Sequence, residues 1–130
     1  MVGLVIVSHS YEIAKGVKEL SIQMVQSDTK IIDAGGMKDG GIGTDPNKIR
    51  DAIVEADSGD GVVILVDLGS AIMSSEMAIE FLDPEQQGRV VIADAPVVEG
   101  AVAAAVQASV GGTLEQVKAT AEECRNTSKL

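Results

Sequence analysis

At 130 residues, with a single cysteine and a single histidine, the chain is sized for one hydrophobic core, closes no internal disulfide and cannot assemble a conventional zinc site. Its 20 acidic residues against 10 basic ones give a formal charge of −10, a surface that repels phosphate backbones and argues against nucleic-acid binding. One Tyr, one Phe and no Trp leave little to stack on bases or sugar rings, and no apolar run approaches the length of a membrane-spanning helix.

The elements follow in order. Val2 to Val7 is an unbroken apolar run, the pattern of a strand buried on both faces of a parallel sheet. It ends in Ser8-His9-Ser10. Ser10 to Gln26 predicts a helix with Ile13, Val17, Leu20 and Met24 on one face. Lys30 to Asp33 predicts a second strand. The glycine-rich stretch GGMKDGGIGTD follows, from Gly35 to Asp45. Thr44 or Asp45 then caps a helix with Pro46 in its first turn, and Ile49, Ala52, Ile53 and Ala56 form its apolar face.

After the turn SGDG, Val62 to Val66 is the most apolar strand, running into Asp67-Leu68-Gly69-Ser70-Ala71. Gly69 and Ser70 open a third helix carrying Ile72, Met73, Met77 and Phe81, which closes before Pro84. Arg89 to Ala93 predicts the fourth strand. Val98 to Val110 is a helix of small residues, able to pack on its own sheet or to form a subunit interface. Thr113 to Arg125 is the last helix, with Leu114, Val117, Ala121 and Cys124 on one face. Cys124 there suits a small buried hydrophobe better than a reactive thiol. Residues 126–130 are expected to form a flexible tail.

Strands alternating with helices imply an α/β fold: a mostly parallel four-stranded sheet with helices on both faces, in three layers. Residues 1–125 are expected to form one domain. With no basic-then-apolar leader ahead of the first strand, the chain is expected to be cytoplasmic.

His9 stands just beyond the carboxyl end of the first strand, where open α/β sheets bind ligands. Position alone leaves two readings open, a loop histidine that caps a helix or a nucleophile. If the first and third strands are neighbours, Asp67 comes close to His9. A carboxylate accepting from one imidazole nitrogen fixes the tautomer and leaves the other nitrogen with an outward lone pair. Taken alone, Asp67 reads as a turn or helix-cap aspartate. The helix starts at Ser10 and Gly69 offer unpaired N–H groups, and glycines 40, 41 and 43 permit a backbone whose amides curl inward. Such a site around a nucleophilic nitrogen fits a phosphoryl group. The chain lacks a Walker-type Gly-Lys-Ser/Thr loop, a GxGxxG after the first strand and a GxSxG elbow, which disfavours independent nucleotide binding and serine hydrolysis.

VGLVIVSHS, GGMKDGGIGTD, VILVDLGSAIMSSEMA and ADAPVVEGAVAAAVQASVG together resemble the phosphocarrier subunits of dihydroxyacetone kinase, within the family of mannose-type phosphotransferase-system IIA domains. The resemblance covers essentially the whole chain. It implies a sheet in strand order 2-1-3-4 and a cytoplasmic homodimer. It implies His9 as the phosphohistidine and Asp67 as the residue that orients it. Ser10, Gly40, Gly41, Thr44, Gly69 and Ser70 are the candidate phosphoryl-binding residues. The implied donor is phospho-HPr. The implied acceptor is ADP held in a second subunit, DhaL, where ADP or ATP and Mg²⁺ are expected; DhaK, which holds dihydroxyacetone, is met only indirectly. No cofactor, metal, nucleic acid or membrane is expected on this chain itself.

Some members of the family continue into HPr-like and enzyme I-like domains. This chain is one domain long, so separate donors are expected. Sugar-transport relatives carry a Gly-Gly-Ser-Pro-like turn after the acid, where this chain has Gly69-Ser70-Ala71. The alternatives are a IIA component of a mannose-type sugar transporter, handing phosphate to a IIB subunit, and a non-catalytic regulatory module that binds a partner through its acidic face.

Overall fold

The computed structural model describes residues 1–130. Four strands, β1 (Gly3–Ser8), β2 (Ile31–Gly35), β3 (Val62–Val66) and β4 (Val90–Ile92), form one all-parallel sheet in the order β2-β1-β3-β4. The helices are α1 (Tyr11–Gln23), α2 (Pro46–Ala56), α3 (Ser70–Glu80), a single turn α4 (Pro84–Gln87), α5 (Val97–Ser109) and α6 (Leu114–Glu123), followed by a 3₁₀ turn at Cys124–Asn126. Both the α/β class and the strand order agree with expectation. No helix is long and apolar enough to cross a membrane.

The central strands are buried on both faces, and the period of two sorts their side chains into two cores. Leu4, Ile6, Val63 and Leu65 pack against α1, α5 and α6, where they meet Ala14, Val17, Ala104, Ala108, Val117 and Ala121. Val5, Val7, Ile64 and Val66 pack against α2 and α3, meeting Ile49, Ile53, Ala71 and Ala78. The small-residue helix α5 lies on its own sheet, with Gly100, Ala101, Ala104, Ala105 and Ala108 buried. A Cβ at Gly100 would stand 2.9 Å from that of Ala95, so the close approach depends on glycine.

Two predicted helix faces are corrected. On α1 the buried residues are Ala14, Val17 and Ser21, while Ile13, Leu20 and Met24 are exposed. On α3 the buried residues are Ala71, Ser75 and Ala78, while Ile72, Met73, Met77 and Phe81 point outward. In both, small side chains let the helix sit close to the sheet, and burying more backbone and sheet surface outweighs burying the larger side chains. The face predicted for α2 is the buried one throughout.

The β1–β3 register positions the chemistry. Leu4 lies beside Val63, Ile6 beside Leu65 and Val7 beside Val66. One residue further on, Ser8 and Asp67 come abreast, on the face shared by Leu4, Ile6, Val63 and Leu65. On the other side, Ser8 pairs with Gly35 at the end of β2. The loops after β1, β2 and β3 therefore leave the sheet at one rim.

Candidate active site

His9 is the first residue past β1. Its backbone is held from both sides: the His9 N–H donates to Asp67 Oδ2 at 3.0 Å, and its carbonyl accepts from Gly43 N–H at 2.8 Å. The ring is held at both nitrogens. Nδ1 lies 3.0 Å from Asp67 Oδ1, and Nε2 lies 2.6 Å from the Ser70 hydroxyl. The side chains of His9 and Asp67 are 21% and 13% exposed, so the pair is sheltered yet reachable.

Asp67 receives four donors. Oδ2 accepts from the Ser8 hydroxyl at 2.9 Å and from His9 N–H; Oδ1 accepts from Leu68 N–H at 2.7 Å and from His9 Nδ1. Burial pushes the Asp67 carboxyl up, but the His9 backbone and ring, the Ser8 hydroxyl and Leu68 N–H together hold it below its ordinary value. An ionised carboxylate only accepts hydrogen bonds, so the proton between Oδ1 and Nδ1 belongs to Nδ1. Neutral imidazole then carries its lone pair on Nε2, where the Ser70 hydroxyl donates to it. The tautomer follows from the carboxylate, and it aims the lone pair of Nε2 at Ser70, the start of α3.

The backbone N–H groups of Gly69 and Ser70 make no hydrogen bond within the protein and are exposed at that helix start. They offer donors and a positive dipole end beside Nε2. No group of three or more His, Cys, Asp or Glu side chains is arranged to hold a metal ion. Beyond Asp67, between α3 and the end of β4, lies a cleft of about 450 Å³ lined by Leu68, Gly69, Ile72, Glu76, Ile92 and Asp94, among others.

The other sequence candidates separate. Ser10 is the N-cap of α1, its hydroxyl accepting from Ile13 N–H at 3.3 Å. Thr44 joins the glycine-rich loop to α3 through a 2.6 Å contact between its hydroxyl and that of Ser74, and Asp45, not Thr44, caps α2. The glycine loop does not present a ring of free amides. Gly40 N–H donates to the Met37 carbonyl and Gly41 N–H to Asp39 Oδ1, both closing the loop's own turn. Gly43 N–H grips His9. The left-handed backbone at Gly36 and Gly40 closes the loop upon itself, and the loop braces the histidine through Gly43 N–H. Gly40 borders a shallow depression with Ser10, Tyr11, Glu12 and Ile42.

The buried hydroxyl of Ser8 is the contributor that sequence reasoning passed over. It lies in the Ser8-His9-Ser10 run, which by itself assigns it no role. The strand parity that it shares with Asp67 was the available signal, and it becomes readable once β1 and β3 are known to pair in register.

Comparison with known proteins identifies a family for this chain. A family model described as EIIA-man, PTS system fructose IIA component, matches residues 3–118. The chain is 42% identical over 117 residues to the PEP-dependent dihydroxyacetone kinase 2 phosphoryl donor subunit DhaM of Listeria innocua, covering 90% of this chain and 94% of that protein. It is 45% identical over 120 residues to the corresponding DhaM of Escherichia coli, covering 90% of this chain and 25% of that longer protein. A crystal structure of a protein of unknown function superposes with a TM-score of 0.83 at 44% identity, covering 93% of this chain and 92% of the other.

Proposed function

This chain belongs to the EIIA-man family, and on that premise we propose that it is the phosphoryl donor subunit of a phosphoenolpyruvate-dependent dihydroxyacetone kinase. In this reading it works in the cytoplasm as a homodimer, taking a phosphoryl group from phospho-HPr onto His9 and passing it to ADP bound in DhaL. The observation that carries the reading is the His9 ring itself. Asp67 holds the proton on Nδ1, and Nε2 faces Ser70 and the free amides of α3.

The chemistry follows from those contacts. Nε2 attacks phosphorus as the P–N bond of phospho-HPr breaks, so one P–N bond replaces another. The ring gains positive charge, and Asp67, ionised and 3.0 Å from Nδ1, stabilises it. The Ser70 hydroxyl leaves the lone pair and, with the Gly69 and Ser70 N–H groups, donates to the phosphoryl oxygens. In the second transfer a terminal oxygen of ADP attacks, the P–N bond breaks, and its electron pair returns to Nε2. Nothing is oxidised or reduced. Mg²⁺, where required, accompanies the nucleotide on the partner.

Incubation with phospho-HPr tests the first transfer. Intact mass should rise by one phosphoryl group, the adduct should be labile in acid, and His9→Ala should remain unmodified. An unmodified wild-type protein, or an adduct on His9→Ala, overturns the reading. A second reading, transfer to a IIB subunit of a sugar transporter, is favoured by the family description, which names a fructose component. Presenting the phosphorylated protein with DhaL–ADP and separately with IIB decides between them.

A further inference from the structure

Ser8 ends β1 with its side chain at 0% exposure. Its hydroxyl touches two polar groups. Ser10 N–H lies 3.0 Å from Ser8 Oγ and can only donate to it. Asp67 Oδ2 lies 2.9 Å away and can only accept. The direction of both bonds is therefore fixed, running from Ser10 N–H through the Ser8 hydroxyl to the carboxylate. The backbone carbonyl of Ser8 is occupied separately, by Gly36 N–H at 3.1 Å.

We propose that Ser8 is a positioning residue for phosphoryl transfer, its hydroxyl fixing the rotation of the Asp67 carboxylate and thereby the tautomer and aim of His9. The torsion that turns an aspartate carboxylate is broad, so backbone and rotamer preference alone do not fix the angle of the carboxylate plane to the ring. The Ser8 hydroxyl and His9 N–H both engage Oδ2, which leaves Oδ1 for Nδ1 and Leu68 N–H. Ser8 is the only side chain besides His9 that holds Asp67. Removing its hydroxyl leaves Oδ2 held by His9 N–H alone and leaves the Ser10 N–H, at the cap of α1, without its partner. The consequence for His9 is a ring whose proton is less firmly assigned to Nδ1, with Nε2 carrying the lone pair for less of the time.

The inference rests on the phosphocarrier reading for its effect on rate, but not for its effect on the ring. The test uses the full chain, as wild type, Ser8→Ala and Ser8→Thr. Nitrogen-15 shifts of the His9 ring are recorded without any partner. Wild type and Ser8→Thr should show a protonated Nδ1 and an unprotonated Nε2, while Ser8→Ala shows averaging towards the other tautomer. Phosphorylation by phospho-HPr should slow about tenfold in Ser8→Ala, the size expected for one hydrogen bond to a charged group, and recover in Ser8→Thr. Ring shifts and rate unchanged in Ser8→Ala overturn the proposal, as does a mixed tautomer in a folded Ser8→Thr. Should Ser8→Ala not fold, Ser8→Thr alone decides, since a hydroxyl held on the same strand must keep the wild-type tautomer. A wild-type protein that accepts no phosphate overturns the phosphocarrier reading while the nitrogen shifts still judge Ser8.

Discussion

The Ser70 hydroxyl lies 2.6 Å from His9 Nε2, on the one ring nitrogen that Asp67 does not touch. In the resting protein it donates to the lone pair that phosphoryl transfer needs, so it must turn away before a P–N bond can form. Once phosphate is attached, charged oxygens stand where the lone pair was, and a hydroxyl donates to these more strongly than to a neutral imidazole. On the proposed phosphocarrier reading, Ser70 should therefore favour the phosphorylated state over the free one. Ser70→Ala should shift the equilibrium with phospho-HPr about tenfold towards free histidine. Measuring the phosphorylated fraction at fixed ratios of phospho-HPr to HPr checks this, and an unchanged equilibrium would show that the hydroxyl does not follow the phosphate.

Asp67→Asn keeps the shape of the side chain and removes its charge. An amide can turn its NH₂ towards Nδ1, which then becomes the acceptor and moves the proton to Nε2. The substituted ring also loses the carboxylate that stabilises its positive charge. The rate of phosphoryl acceptance should fall on the order of a hundredfold or more, with the circular dichroism spectrum and cooperative unfolding retained. Near-normal phosphorylation kinetics would remove Asp67 from the mechanism.

The alternation of strand and helix was enough to read the α/β class, and the strand-end position of His9 was enough to look for its partner on the loop after β3. The helix faces were less legible. Ile13, Leu20 and Met24 satisfy a helical period as well as Ala14, Val17 and Ser21 do, and only the distance from α1 to the sheet chooses the smaller set. Ser8 was illegible for a different reason. Its role needs the β1–β3 register, a long-range property that local pattern does not contain. The backbone of the glycine loop was not legible because glycine permits many conformations, and composition cannot tell amides that face outward from amides that close a turn.

At the opposite end of the sheet, Asp57 has a side chain only 2% exposed, and Arg89 Nε reaches its Oδ2 at 2.9 Å. Burial pushes the Asp57 carboxyl up, but Gly59 N–H, Gln86 and Arg89 outweigh it and hold the group below its ordinary value. Arg89→Met leaves that buried charge with only Gln86 and Gly59, and should cost about 3 kcal/mol in urea unfolding at neutral pH, the low end for a broken buried pair because Arg89 itself is part-exposed. The sign of the pH dependence follows from the lowered value. The unfolded chain binds a proton at Asp57 before the folded protein does. The contribution is therefore complete above the ordinary carboxylate pKa of about 4 and is lost as pH falls through the lowered value. Asp57→Asn should flatten the stability profile in that acid range. An acid slope as steep as that of wild type would assign the dependence to other carboxylates.

Gly35 gives the last test, because it links the sheet edge to the start of α1. It ends β2 directly beside Ser8, and its carbonyl accepts from Lys48 Nζ at 2.9 Å. A Cβ at this position would stand 2.5 Å from the Ser10 carbonyl oxygen and 2.7 Å from the Ala14 Cβ. Neither neighbour is the free end of a flexible side chain. Relief requires α1 to move away from β2, carrying with it Ser10, whose N–H meets the Ser8 hydroxyl. Overpacking of this kind costs about 1–3 kcal/mol. Gly35→Ala should thus lower stability by that amount and also slow phosphorylation of His9, although Gly35 touches neither the ring nor Asp67. Denaturant titration measures the first effect and intact-mass kinetics under conditions that keep the variant folded measure the second. Loss of stability with unchanged phosphorylation kinetics would show that the start of α1 can shift without disturbing the carboxylate.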